Sequence, residues 1–237
     1  MKKFFTVVFI LLAVAALASA DYYIKSKYHS DAVSIAGTNQ PAKEEIHEQW
    51  IGGDKFANIT PDMTIVMDVG KSKAWMINHK NKDYVETDLP LDMAKLLPPE
   101  MASMMSMMKA TVAVEPTGAK KTIGQWACSG YNVSISMMMM PMKFSVWATE
   151  TVPFDLNVYM NKFYANFLKG TLRLDDTSVA EMKKVKGLWI ASEMNMEVMG
   201  SKIATATQVV EISQKPAGPG VYSVPAGYTQ SKFLSVR

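Results

Sequence analysis

The sequence predicts a mainly β fold with helical insertions, and three observations carry that prediction. Short stretches of alternating apolar and polar residues recur along the chain, joined by short polar turns, as in an antiparallel meander. Two segments, near residues 97–108 and 156–167, switch instead to helical spacing of their apolar side chains. Of the 237 residues, 49% are hydrophobic and 20% charged. That is enough apolar surface for a large core and too little net charge for a disordered chain.

The N-terminus is read first because it stands apart from the fold. Lys2 and Lys3 precede an apolar run from Phe4 to Leu17, broken only by Thr6, and Ala18-Ser19-Ala20 follows. A short positive region, an apolar stretch and a small-x-small site predict a signal peptide over residues 1–20, cleaved after Ala20. The run is shorter than the roughly 20 residues a spanning helix needs. The first residue after the cut is Asp21, not a cysteine that could carry lipid, and no later stretch is apolar enough to span. The expectation is a periplasmic or secreted protein with no integral membrane segment after cleavage, folded as one domain over residues 21–237.

From Tyr22 to Ala36 and from Glu44 to Trp50 the alternation predicts strands, with Gly52-Gly53-Asp54 as the turn. Lys55–Thr60 and Thr64–Val69 follow, with Met63, Ile65, Met67 and Val69 on one face because strand side chains alternate. Lys73–His79 and Asp83–Thr87 complete the meander. Pro98-Pro99 then opens a helix whose apolar residues are Leu97, Met101, Met104, Met105 and Met108, proline being tolerated in a first helical turn. Strands are predicted at Thr111–Glu115, Lys121–Ala127, Tyr131–Met138 and Met142–Thr149. In the third, Tyr131, Val133, Ile135 and Met137 oppose Asn132, Ser134 and Ser136, the pattern of a sheet with one wet face. Asp155 is placed to cap a second helix striped by Leu156, Tyr159, Met160, Phe163 and Phe167. A third helix is predicted over Asp176–Lys184, then a hairpin of Leu188–Met199 and Lys202–Ser213 turned at Gly200, then a last strand around Val221–Val224.

Charge narrows the partners. The formal net charge is +3, of which Lys2 and Lys3 contribute two, and only Arg173 and Arg237 are arginines. Nothing in that balance attracts nucleic acid, and the bidentate grip suited to phosphate is nearly absent. The single cysteine, Cys128, excludes a disulfide framework. Lying between Trp126 and Tyr131, it reads as a small buried hydrophobe.

This order of elements, with Gly124-Gln125-Trp126-Ala127-Cys128-Ser129-Gly130-Tyr131 in mid-chain and Tyr222-Ser223-Val224-Pro225-Ala226-Gly227-Tyr228 near the end, resembles the exported DUF4412 proteins. Those in turn are similar to the LolA/LolB/LppX lipoprotein-carrier fold. The resemblance implies an incomplete antiparallel β-barrel, a half-barrel wrapped around covering helices, with an apolar cavity for lipid or lipoprotein acyl chains. No arginine lies before position 173, so a carrier mechanism that uses an arginine in the N-terminal strands has no counterpart here.

The chain carries 20 methionines, grouped at Met101–Met108, Met137–Met142 and Met194–Met199. Thioether side chains are flexible and polarisable, suiting a wall that repacks around varied apolar ligands. The residues expected to line such a cavity are Met67, Met76, Met101, Met105, Met108, Phe144, Val146, Tyr159, Phe163, Met194 and Met196. Core filling explains the same residues without a ligand. A second alternative is Cu(I), which thioethers select, at Met101, Met104, Met105 and Met108. The three histidines, His29, His47 and His79, show no mutual ligand spacing, and no other metal or cofactor is expected. There is no G-x-S-x-G, H-E-x-x-H or phosphate-cradling loop, so the expectation is a non-enzymatic protein. A third reading is an envelope protein with a purely structural or partner-binding role and no small ligand.

Overall fold

A computed structural model describes residues 21–35, 38–106, 110–137, 140–172, 174–198 and 201–234. The expected signal peptide, Met108 and the turn at Gly200 lie outside these residues. The described chain is mainly β. Twelve strands form one sheet in the order β14-β8-β7-β6-β5-β4-β1-β13-β12-β11-β10-β9. The end strands β14 and β9 are not paired with each other, so the sheet is open and not a closed barrel.

Its first half is the predicted meander. Strands β4 (Lys43–Ile51), β5 (Lys55–Ile59), β6 (Met63–Asp68), β7 (Lys73–Asn78) and β8 (Asp83–Asp88) pair antiparallel in sequence order. The central strand β1 (Asp21–Ser30) joins this meander to the second half by pairing with β4 on one side and β13 (Ser201–Lys215) on the other. The short strands β2 (Val33–Ile35) and β3 (Thr38–Gln40) make a separate hairpin. Beyond β13 lie β12 (Leu188–Val198), β11 (Met140–Thr149), β10 (Trp126–Met137) and β9 (Ala110–Ile123).

Consecutive residues reveal two covered faces in the first half. Ile24, Ile51, Phe56, Met67 and Met76 belong to one buried cluster, while their chain neighbours Tyr23, Trp50, Ala57, Val66 and Ile77 belong to another. Adjacent strand residues point to opposite faces, so these are the inner and outer sides of one sheet. Strand β6 is accordingly buried from Thr64 through Asp68, and the single apolar face expected from Met63, Ile65, Met67 and Val69 is only half of its burial. The outer cover comes from the C-terminal segment, where Ala217, Val221, Tyr222, Val224 and Tyr228 pack on that cluster. The strand expected around Val221–Val224 is replaced there by turns, with Val221 N–H bonded to Gly218 O and Ser223 N–H to Gly220 O. Side chains pin the strap instead. Tyr222 donates to Asp21 Oδ2 at 2.8 Å, and the Tyr228 hydroxyl lies 3.0 Å from His79 Nδ1. Only β14 (Thr229–Gln230) then joins the sheet, parallel to β8.

The second half corrects one boundary. The strands expected at Thr111–Glu115 and Lys121–Ala127 are one long strand, β9, and Gly124-Gln125 turn it into β10. Gly124 has φ +58°, a conformation most side chains resist. In β10, Tyr131, Val133 and Ile135 are buried while Asn132 and Ser134 are exposed, as the alternation requires. Cys128 is buried, and burial pushes its thiol up from the ordinary range.

Three helical pieces accompany the sheet. Helix α1 (Pro99–Ser106) follows a 3₁₀ turn at Met93–Leu96. Helix α2 (156–172) and helix α3 (Asp176–Met182) follow β11. Asp175 caps α3 by accepting from Ser178 N–H. Leu168 of α2 and Val179 and Met182 of α3 are buried against Val114, Val133 and Val146 of β9, β10 and β11. Edge strand β9 is guarded by chemistry that discourages further pairing: Pro116, Lys120 and Lys121 along its exposed part, and Glu181 Oε1 accepting the Val114 N–H at 3.1 Å.

Candidate functional site

The site is built where α2 meets the inner face of β1, β4, β12 and β13. Asp155 starts the helix by accepting from the N–H groups of Asn157 and Val158, the cap the sequence predicts. From Tyr159 to Tyr164 the helix widens to a π turn, shown by the Ala165 N–H reaching Met160 O, five residues back. π turns are rare and recur at functional sites. The extra residue in the turn lets Tyr159, Phe163 and Tyr164 all face the sheet, where regular helical spacing would swing Tyr164 aside. Tyr159 and Tyr164 stack at 5.9 Å between ring centroids, and Phe163 stacks on Phe56 of β5 at 5.7 Å. Phe154 completes the aromatic group, 5.3 Å from Tyr22 and 5.7 Å from Tyr159. Lys162, on the outer side, bonds to Gly53 O and pairs with Asp54.

Tyr159 divides two clefts. The smaller, of about 170 Å³, lies between Tyr159, Met160 and Tyr164 of α2 and a floor of Ile24, Leu188, Ile190 and Val209, with Trp189 at its side. Polar side chains enter it from four strands: Ser26 of β1, Gln49 of β4, Ser192 of β12 and Thr207 of β13. The Tyr159 hydroxyl donates to Gln49 Oε1 at 3.2 Å. Burial pushes the Tyr159 and Tyr164 phenols well above their ordinary range, and the neighbouring Tyr159 pushes Tyr164 further. Both are neutral hydrogen-bonding groups at any physiological pH. The larger cleft, of about 430 Å³, opens on the other side of Tyr159 between Tyr22, Ile51, Phe154 and Phe163, with Asp21 and Asp155 at its rim.

The structure distributes the eleven expected lining residues unevenly. Tyr159 borders both clefts and Phe163 the larger. Met67 and Met76 are fully packed within the inner cluster, and Val146 within the second-half cluster. Phe144 lies across from Met194 in the β11–β12 pairing, with its ring 6.4 Å from that of Trp189. Met194 and Met196 are partly buried further along β12. Met101 is partly buried on α1, where only the backbone of Met104 and Met105 is described. The four thioethers of the Cu(I) alternative are therefore described together only in part. Among the described residues, no group of three or more His, Cys, Asp or Glu side chains is placed to hold a metal ion, and no helix is long and apolar enough to cross a membrane.

Sequence reasoning missed Ser26, Gln49, Ser192 and Thr207. A signal was present: Ser192 interrupts the run Ile190-x-Ser192-x-Met194, and Gln49 sits two residues before Ile51. A polar residue in an otherwise apolar position of a strand marks a face that is covered but not filled. Compared with known proteins, the chain matches no family model and no curated protein.

Proposed function

We propose that this is an exported, non-enzymatic binding protein that holds a lipid or another apolar ligand between the open sheet and helix α2. The observation that carries the reading is the pair of clefts meeting at Tyr159, together walled by aromatic and branched apolar side chains. Binding sites for small apolar molecules have this composition, with a few placed polar groups to orient the ligand. An open sheet with an aromatic helix seated on its inner face also suits the half-barrel expected from the resemblance to lipoprotein carriers. Export rests on residues 1–20, and acyl chains, from lipid or lipoprotein, are the ligand class that best fits an exported apolar cleft.

Native mass spectrometry of gently purified protein, with titration by the neutral apolar dye N-phenyl-1-naphthylamine, tests the reading. A co-purified ligand or saturable dye binding at one or two sites is expected. No bound ligand together with unsaturable dye binding would overturn it.

A further inference from the structure

The smaller cleft is unusual in which polar groups it gathers. Ser26, Ser192, Thr207 and Tyr164 line it from three strands and the helix, and none of their hydroxyls has a hydrogen-bond partner among the described residues. Gln49 keeps its amide nitrogen uncommitted there, since only its oxygen accepts from Tyr159. Ser26, Gln49, Tyr164, Ser192 and Thr207 are each only partly buried, so the cleft offers polar groups to whatever occupies it, and a bound molecule can take up the hydrogen bonds that water otherwise makes.

The charges around the site are equally informative. Apart from neutral tyrosines, no ionisable side chain lines the smaller cleft. The larger cleft has two carboxylates at its rim, Asp21 and Asp155, and each already accepts hydrogen bonds, from Tyr222 and from the helix N-terminus. Lys162, beside the larger cleft, is spent on Asp54 and Gly53 O. An anionic head group would give up water on entering the smaller cleft and meet no cation among its lining residues, which disfavours binding. A cationic head group would find no carboxylate there, only hydroxyls, the Gln49 amide oxygen and the rings of Tyr159, Tyr164 and Trp189.

We infer that the smaller cleft selects an uncharged amphiphile, one whose hydroxyl, ester or amide head is hydrogen-bonded by Ser26, Ser192, Thr207, Tyr164 and Gln49 and whose chain leaves along the apolar wall. This rests on the apolar-ligand reading above and narrows it, excluding free fatty acid anions and phosphate-headed lipids as the favoured occupants of this cleft. The space of about 170 Å³ is slightly larger than an apolar cavity of ~150 Å³ that accepts benzene, so it takes the head and the first few carbons.

Three probes of equal chain length separate the cases by isothermal titration at pH 8: 1-octanol, sodium octanoate and octylammonium chloride. Octanol should bind saturably and at least ~100-fold more tightly than either ion, the scale set by leaving a charge unpaired in a buried site. The near-isosteric double variant S192A/T207V should melt like the parent and bind octanol about tenfold more weakly. If either ion binds within tenfold of octanol, or if the correctly folded double variant binds octanol undiminished, the inference is overturned while the apolar-ligand reading stands. If none of the three probes nor the dye binds saturably, both fall.

Discussion

Gly187 is the residue on which the geometry of the smaller cleft most depends. It enters β12 from the loop after α3, lines the cleft, and has φ +106°. A Cβ added there would lie 2.1 Å from Thr149 O and 2.4 Å from Thr149 C, both backbone atoms that cannot rotate away. Gly187→Ala therefore combines a disfavoured backbone conformation, about 1–3 kcal/mol, with overpacking of similar size, about 1–3 kcal/mol. A total near 4 kcal/mol lowers Tm by roughly 8–16 °C for a chain of this length. Two controls separate the contributions by differential scanning calorimetry. Gly118 also has positive φ, +72°, but an added Cβ meets nothing within 4 Å, so Gly118→Ala should cost only the conformational part, about 1–2 kcal/mol. Gly53 has open space and no positive φ, and Gly53→Ala should be neutral or slightly stabilising. If Gly187→Ala melts no lower than Gly118→Ala, the close approach of β12 to Thr149 is wrong, and the floor of the cleft with it.

Three further outcomes test the surroundings of the site. Phe163 is fully buried, and Phe163→Ala should cost about 3–5 kcal/mol, read as a lower urea midpoint with unchanged m; a loss under about 1 kcal/mol would mean that α2 is not seated on β5. Glu181→Ala removes the acceptor for the Val114 N–H, so that amide should exchange about tenfold faster by NMR, while amides in the middle of β10 stay unchanged. The His29 imidazole, beside Asp31 first and Glu44 second, is held above its ordinary value. Because the folded value is the higher one, its contribution is complete below about pH 6.5 and is lost as pH rises through the folded value. A carbon-bound ring proton titrating at or below the value of a free histidine would refute that pairing.

The elements that could be read from the sequence were those whose signal is local. Asp155 announced its helix because capping needs only the residues two or three positions ahead, and the alternation in Tyr131–Met137 needed only the strand itself. The misreadings needed distant partners. Nothing near Val221–Val224 tells that its apolar side chains will cover Tyr23, Trp50 and Val66 from outside while its backbone makes turns. The stripe Tyr159–Phe163 was visible, but the π turn that adds Tyr164 to it depends on how the helix sits on Phe56 and Gln49. Ser26, Gln49, Ser192 and Thr207 come from four strands spread across more than 180 positions, and only strand order brings them into one space.

The two faces of the sheet are packed by different means, and that difference shapes the clefts on the inner side. Outside, the strap from Lys215 to Tyr228 is irregular, turned chain that can follow the surface residue by residue. Lys215 Nζ sits 3.3 Å over the Tyr23 ring, Tyr222 reaches Asp21, and Tyr228 reaches His79, so Tyr23, Trp50 and Val66 are buried. An open cleft of about 500 Å³ lies within the strap itself, between Pro216–Ser223, Asp21 and Lys55. Inside, α2 is a stiff cylinder against a twisted sheet, and it packs closely where Phe163 stacks on Phe56 and where Leu168 meets Val114, Val133 and Val146. On either side of the Phe163 contact the surfaces diverge, and Tyr159 stands in the gap between the two clefts. Methionine is the side chain best able to fill such gaps, yet Met67 and Met76 are spent within the packed core, and among the described methionines only Met160 reaches the smaller cleft. Met67 and Met76 thus fill the core, while, Met160 apart, aromatic and branched side chains frame the smaller cleft. A frame of that kind keeps its shape without a ligand and favours one class of occupant over many.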